Sequence, residues 1–361
     1  MKFDALIQAV SNRQQQIKQY LSEERNRLQF KNTHLQEAVY SYVNAGGKSL
    51  RPAVLMFACG AVGGDEVQAL PAAAAVELYH TFTLVHDDII DRDEMRRGVP
   101  TVHTQFSARA RQEMGYDAAT AEHYGLAVAI LAGDLQQGWA ASLLPDLHTT
   151  YGLPPALALN LVSELFRRTQ ITLINGETTD ILQAELPVEA VSEADVLNML
   201  WEKTGILYQF AGRAGAAIGL READLNHPTV QAVGEFTGKC GTAFQIQDDI
   251  LGIVGDEKRV GKPIGSDIRE GKRTIIVLNA LPRMSEADRD FMLKTLGNDS
   301  ASEADIKRAT KLLDDAGGIQ HARDLSRRYI AEAIGHLEVL PPSAHKDLLL
   351  LWADYITERD L

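Results

Sequence analysis

The stretch PAAAAVELYHTFTLVHDDIID, residues Pro71–Asp91, carries the architecture of this chain in one segment. Pro71 suits a first helical turn, where its missing N–H costs nothing. No breaker follows, and the segment reads as one helix over 71–94. Near its end stand Asp87, Asp88 and Asp91. Asp87 and Asp91 share one helical face, one turn apart, whereas Asp88 points about 100° away. His80 and Thr83 fall on the face of Asp87. Carboxylates this close repel one another unless a cation joins them. The negative end of a helix dipole sharpens that need. Oxygen donors at this spacing suit Mg²⁺, which shares its ligands with substrate phosphates. Arg96-Arg97-Gly98, just beyond, would hold the anion.

A second acidic segment reads Phe244-Gln245-Ile246-Gln247-Asp248-Asp249-Ile250-Leu251. Gly261-Lys262 and Glu270-Gly271-Lys272-Arg273-Thr274 follow it. Gly252 stands four after Asp248, so the paired spacing of the first segment is absent, and a metal would rest on Asp248 with Asp249 in support. Gly46-Gly47-Lys48-Ser49-Leu50-Arg51-Pro52 sets two cations beside a glycine turn before a helix, where backbone N–H groups can hold phosphate. A nucleotide P-loop is excluded, because Tyr42 stands where that motif needs glycine. Taken alone, Lys203 in Trp201-Glu202-Lys203-Thr204-Gly205 reads as a solvent-facing lysine of a long helix. Asn175-Gly176-Glu177-Thr178-Thr179-Asp180 reads as a kink.

The rest of the chain is helical in period. Further helices are expected over 4–28, 33–44, 51–62, 118–143, 154–185, 193–220, 226–253, 271–281, 285–296, 302–315, 318–338 and 342–358. No stretch alternates as a strand would, and no linker divides the chain. The fold class is therefore all-α, with residues 1–361 as a single domain. A net charge of −13 argues against nucleic acid as a partner. It would also repel an anionic substrate, so local cations or metals must offset it. The two cysteines, Cys59 and Cys240, form no CxxC pair and no zinc or disulfide framework. The apolar run at 69–76 is too short to span a membrane, and stable membrane insertion is not expected. The N-terminus lacks a signal-peptide pattern, and a reducing cytoplasmic location is expected.

Taken together and in order, these motifs resemble the all-trans isoprenyl diphosphate synthases, the head-to-tail prenyltransferases. The match runs from residue 46 to near the C-terminus, through GGKSLRP, both aspartate segments, RRG, KT at 203–204, the Gly176–Asp180 element, FQ at 244–245 and GKPIGSDIREGKRT at 261–274. The resemblance implies long helices around a deep central cavity, usually in a homodimer. It implies chain elongation: an allylic diphosphate ionises, the double bond of isopentenyl diphosphate attacks the cation, and a proton is lost. By the same resemblance Asp87, Asp91 and Asp248 bind Mg²⁺, about three ions per site, with Mn²⁺ as a substitute. Arg96, Lys203 and Lys262 contact the allylic diphosphate, with Lys272 nearby. Lys48, Arg51, His80 and Arg97 hold isopentenyl diphosphate, and Thr204 and Gln245 stabilise the carbocation. Two positions depart from the usual pattern: Gly252 replaces a third aspartate, and Glu177 replaces a glutamine.

In that family the residues before the first aspartate segment set cavity depth. Phe82 lies five before Asp87, roughly 7–8 Å along the helix, with Thr83 next to it and Tyr79 roughly 12 Å away. A bulky Phe82 beside a small Thr83 is expected to floor the cavity at geranylgeranyl diphosphate (C20). Farnesyl diphosphate (C15) is the alternative product, and a non-catalytic regulatory subunit the alternative role. A terpene cyclase would not need the GGKSLRP pocket. A di-iron bundle would need a second copy of Glu77-x-x-His80.

Overall fold

The computed structural model describes residues 2–45, 47–96, 98–254 and 265–358. The chain divides into two compact units. The first comprises Met1–Val162 with Arg213–His227, the second Ser163–Gly212 with Pro228–Leu361. The helices are α1 (Asp4–Ser22), α2 (Thr33–Ala45), α3 (Leu50–Ala61), α4 (Leu70–Ile90), α5 (Val102–Met114), α6 (Ala118–Leu143), α7 (Asp146–Thr149), α8 (Pro155–Ser163), α9 (Gln170–Glu185) and α10 (Glu193–Leu200). They continue as α11 (Ile206–Leu220), α12 (Pro228–Val254), α13 (Ser266–Arg269), α14 (Ile275–Ala280), α15 (Glu286–Thr295), α16 (Glu303–Asp315), α17 (Gly318–Gly335) and α18 (Ala344–Glu358). The all-α expectation holds. Among the described residues no helix is long and apolar enough to cross a membrane.

In the first unit α4 packs against α6, α3 and α1. Ala72, Ala73, Ala74 and Ala75 are fully buried, and their small side chains let neighbouring helices approach closely. The segment from Arg213 packs on α3 the same way: a Cβ on Gly215 would lie 2.1 Å from the Leu55 carbonyl oxygen. In the second unit α12 is central, against α17 and α18. There Trp352 is fully buried between Tyr208 and Phe236, with ring centroids at 5.3 and 5.9 Å. Truncating such a ring costs about 3–5 kcal/mol.

The structure shifts several expected boundaries. The first helix ends at Ser22 and not at 28, because Glu23 is extended and buried Asn26 donates to the Tyr20 carbonyl at 2.7 Å. The helix of Asp87 ends at Ile90 and not at 94: Arg92 takes a left-handed φ of 57°. Strands β1 (Met95–Arg96) and β2 (Val99–Pro100) then form a two-residue antiparallel hairpin. Helix α5 was not expected, although Val102, Phe106 and Ala110 are its buried face and Gly115 caps it. Within the expected helices 154–185 and 193–220 lie two π-helical turns, Glu164–Thr169 and Trp201–Gly205. Gly176 does not end its helix; α9 runs through it.

Candidate active site

In the first unit, the Asp91 N–H donates to the Asp87 carbonyl at 2.8 Å, so the last turn of α4 extends to Asp91. Both side chains are half-buried, and a carboxylate oxygen of one lies within 4.8 Å of one from the other. Asp88 behaves differently. Its side chain is 1% exposed and accepts hydrogen bonds from the Tyr42 hydroxyl and from Arg96, whose Nε is at 2.6 Å and Nη2 at 2.5 Å. Burial raises the Asp88 carboxyl above its ordinary range even though Arg96 and Tyr42 oppose it. Asp88 thus anchors Arg96, whose guanidinium also lies 3.9 Å from Asp87 and from Asp93.

The basic turn before α3 is held by three hydrogen bonds to two residues, Gln14 and Glu77. Ser49 is left-handed, with φ 44°, a conformation that costs roughly 1–2 kcal/mol outside glycine. Its hydroxyl donates to Glu77 Oε1 at 2.8 Å and accepts from Gln14 Nε2 at 3.1 Å, and Gln14 also donates to the Gly47 carbonyl. The turn leaves Lys48 exposed and Arg51 half-buried. Arg51 Nη1 lies 3.2 Å from His80 Nε2. Since Arg51 only donates, that nitrogen accepts. Arg51 and His80, which the resemblance assigns to one substrate together with Lys48 and Arg97, thus meet where α3 begins and α4 runs past, and Lys48 stands on the turn just before α3.

In the second unit the isolated reading of Lys203 as a solvent-facing lysine is overturned. It sits on the π-helical turn Trp201–Gly205, and its ammonium bonds Asp180 at 2.7 Å and Glu177 at 2.8 Å. Burial favours the neutral Asp180, but the charges of Lys203 and Lys272 prevail and hold its carboxyl below the ordinary range. Gly176 makes this contact possible: a Cβ there would lie 2.4 Å from the Lys203 amide nitrogen. Next to it the Thr204 hydroxyl donates to Gln245 Oε1 at 2.9 Å, and Gln245 Nε2 donates to Asp249 Oδ1 at 3.1 Å. Asp248 is half-buried and Asp249 buried, repeating the asymmetry of Asp87 and Asp88. Burial, with the nearby charge of Asp267, pushes the Asp249 carboxyl well up. A Cβ on Gly252 would lie 2.8 Å from Asp267 Oδ2, so where the sequence departs from the family pattern another carboxylate stands beside the glycine. Lys272 pairs with Glu270 at 2.7 Å and with Asp267 at 3.6 Å.

Phe82 and Tyr79 are buried and meet edge to face at 4.7 Å, while Thr83 is half-buried and donates to the His80 carbonyl. Arg97 and Lys262 lie outside the described residues. Reading the sequence missed Gln14 and Tyr42 as supports of the site, because each acts across a long sequence separation and no local spacing marks it. Asp267 lies within the quoted 261–274 stretch, but its approach to Gly252 was not legible there.

Three comparisons bear on this arrangement. The polyprenyl synthetase family model matches residues 32–313. Geranylgeranyl diphosphate synthase of Sulfolobus acidocaldarius is 38% identical over 84% of this chain and 83% of its own length. Geranylfarnesyl diphosphate synthase of Aeropyrum pernix is 37% identical over 88% of this chain and 92% of its own. The solved structure of geranylgeranyl pyrophosphate synthase from Corynebacterium glutamicum, complexed with isoprenyl diphosphate and magnesium, superposes with a TM-score of 0.83. It covers 99% of this chain and all of that one, at 28% identity.

Proposed function

The chain belongs to the polyprenyl synthetase family, and from that premise we propose that it condenses isopentenyl diphosphate with an allylic diphosphate to give geranylgeranyl diphosphate (C20). The observation that carries this reading is the pair Asp87 and Asp91, half-buried and one turn apart at the end of α4, the helix to which the basic turn is tied through Ser49 and Glu77. The whole chain acts as one catalytic domain.

Their oxygen donors fit Mg²⁺, and Asp87, Asp91 and Asp248 are the proposed ligands, with about three ions per site. When bound, Mg²⁺ supplies charge stabilisation for the diphosphate leaving as the allylic C–O bond breaks. Arg96, Lys203, Lys262 and Lys272 add fixed positive charge to that leaving group, favouring the transition state over the ground state. Lys48, Arg51, His80 and Arg97 hold isopentenyl diphosphate with its double bond toward the new cation. Thr204 commits its one proton to Gln245, so toward other neighbours its oxygen presents lone pairs. Such a dipole steadies an allylic cation without trapping it covalently.

Phe82, backed by Tyr79 and beside Thr83, is the proposed floor of the cavity. A homodimer is proposed on the exposed face of α6, where Ile130, Leu131 and Leu135 are 47%, 52% and 37% exposed. The test is to incubate the purified chain with Mg²⁺, labelled isopentenyl diphosphate and each of the dimethylallyl, geranyl and farnesyl starters. A C20 product that disappears with chelator is expected. A dominant C15 or C25 product would keep the reaction and overturn the product length, and no product from any starter would overturn the reaction.

A further inference from the structure

One glycine outside the motifs quoted above touches His86, a ring that meets the proposed floor. Gly133 lies inside α6, where glycine is less favourable than alanine. Packing explains its presence. A Cβ there would lie 2.2 Å from His86 Nε2, 2.6 Å from Cδ2 and 2.9 Å from Cε1. The imidazole therefore packs directly against α6 at Gly133, and any side chain at 133 has to displace it. The same ring is tethered there: its Nε2 is 3.1 Å from the Ile130 carbonyl oxygen, which only accepts, so Nε2 carries the proton.

On its other side His86 meets Phe82 edge to face, with centroids at 5.7 Å and an interplanar angle of 81°. Phe82 in turn meets Tyr79 at 4.7 Å and 87°. Tyr79 is fully buried and Phe82 is 7% exposed. Three rings at positions 79, 82 and 86 thus form one continuous stack along α4, and its end rests on the bare backbone at Gly133. Close packing transmits a displacement at one ring to the ring it touches.

We propose that Gly133 and His86 are specificity-determining positioning residues, which fix the place of Phe82 and so the length at which elongation stops. This rests on the elongation reading given above. When something fills the space at 133, the His86 ring has to leave its place on α6, and Phe82 is the ring it already meets edge to face. Removing the ring frees Phe82 to swing away.

The experiment compares products of wild type, Phe82→Ala, Gly133→Ala, His86→Ala and the double variant Gly133→Ala/His86→Ala. The readout is the ratio of product lengths, which does not depend on what fraction of a preparation is folded. Gly133→Ala is expected to raise the C15:C20 ratio by about fivefold, which corresponds to ~1 kcal/mol in the partition between release and further elongation. His86→Ala is expected to raise the C25:C20 ratio by a similar factor. The double variant should follow His86→Ala, because a methyl group at 133 then has no ring to strike. Should Gly133→Ala fail to fold, His86→Ala creates no clash and tests the same stack. If Phe82→Ala lengthens the product while the other three variants keep the wild-type ratio, this inference falls and the floor stands. If Phe82→Ala also leaves the ratio unchanged, floor and inference fall together. Absence of product from wild type would overturn the reaction itself, and the inference with it.

Discussion

Each aspartate pair divides its labour between neighbours. Asp87 and Asp248 stay half-buried, while Asp88 and Asp249 turn inward and accept hydrogen bonds from Arg96 and Tyr42 or from Gln245. Helical geometry requires this split, since adjacent residues point about 100° apart. The spacing of Asp87 and Asp91 was legible in the sequence for the same reason. The partnership of Tyr42 with Asp88 was not, because the two are 46 residues apart. A different residue gives a prediction in pH. Burial, helped by the charges of Glu66 and Asp65, pushes the Cys59 thiol from 9.0 up to about 12. The folded state thus holds its proton more tightly than the unfolded chain. The stability it lends is complete below pH 9 and is lost as pH rises from 9 toward 12. Denaturant titrations across that window should show Cys59→Ala losing less stability with pH than wild type, and parallel curves would refute the shift. Native protein should also leave both buried cysteines unreacted with a thiol reagent at pH 8.

Among elements, the π-helical turn at Trp201–Gly205 does the most to build the site. The extra residue in that turn accompanies Lys203 facing Asp180 and Glu177, and Thr204 facing Gln245. Hydrophobic periodicity marks a helix there, but it cannot reveal a widened turn, which needs the glycines at 176 and 205 to meet specific neighbours. Helix α1 makes the corresponding contribution to the basic turn. It lies before the residues that match the family model, yet Gln14 fastens Gly47 and Ser49. Replacing Gln14 by alanine removes both hydrogen bonds and should cost about 1 kcal/mol of stability. With the turn loosened, the KM for isopentenyl diphosphate should rise severalfold while the KM for the allylic substrate holds. Initial rates with each substrate varied in turn would show this, and an equal change in both KM values would refute a local role for α1.

At the scale of the whole molecule, the exposed Ile130, Leu131 and Leu135 argue for a second copy on α6. Sedimentation should give twice the chain mass for wild type, and Leu131→Asp should move the protein toward monomer. A monomeric wild type at micromolar concentration would sink the dimer. The helical class, the order of the long helices and the acidic and basic motifs were determined by the sequence alone, because helical period and caps are local properties read over one or two turns. Even there the hairpin at Met95–Pro100 and helix α5 escaped, since two-residue strands carry no periodicity and α5 is mostly polar outside its buried face. Tertiary structure alone decided which carboxylate is an anchor, what occupies the space beside Gly252, how Lys203 is held, and why glycine stands at 133. Those outcomes depend on close approach between segments far apart in sequence, where a single methyl group at the wrong place would overlap its neighbour.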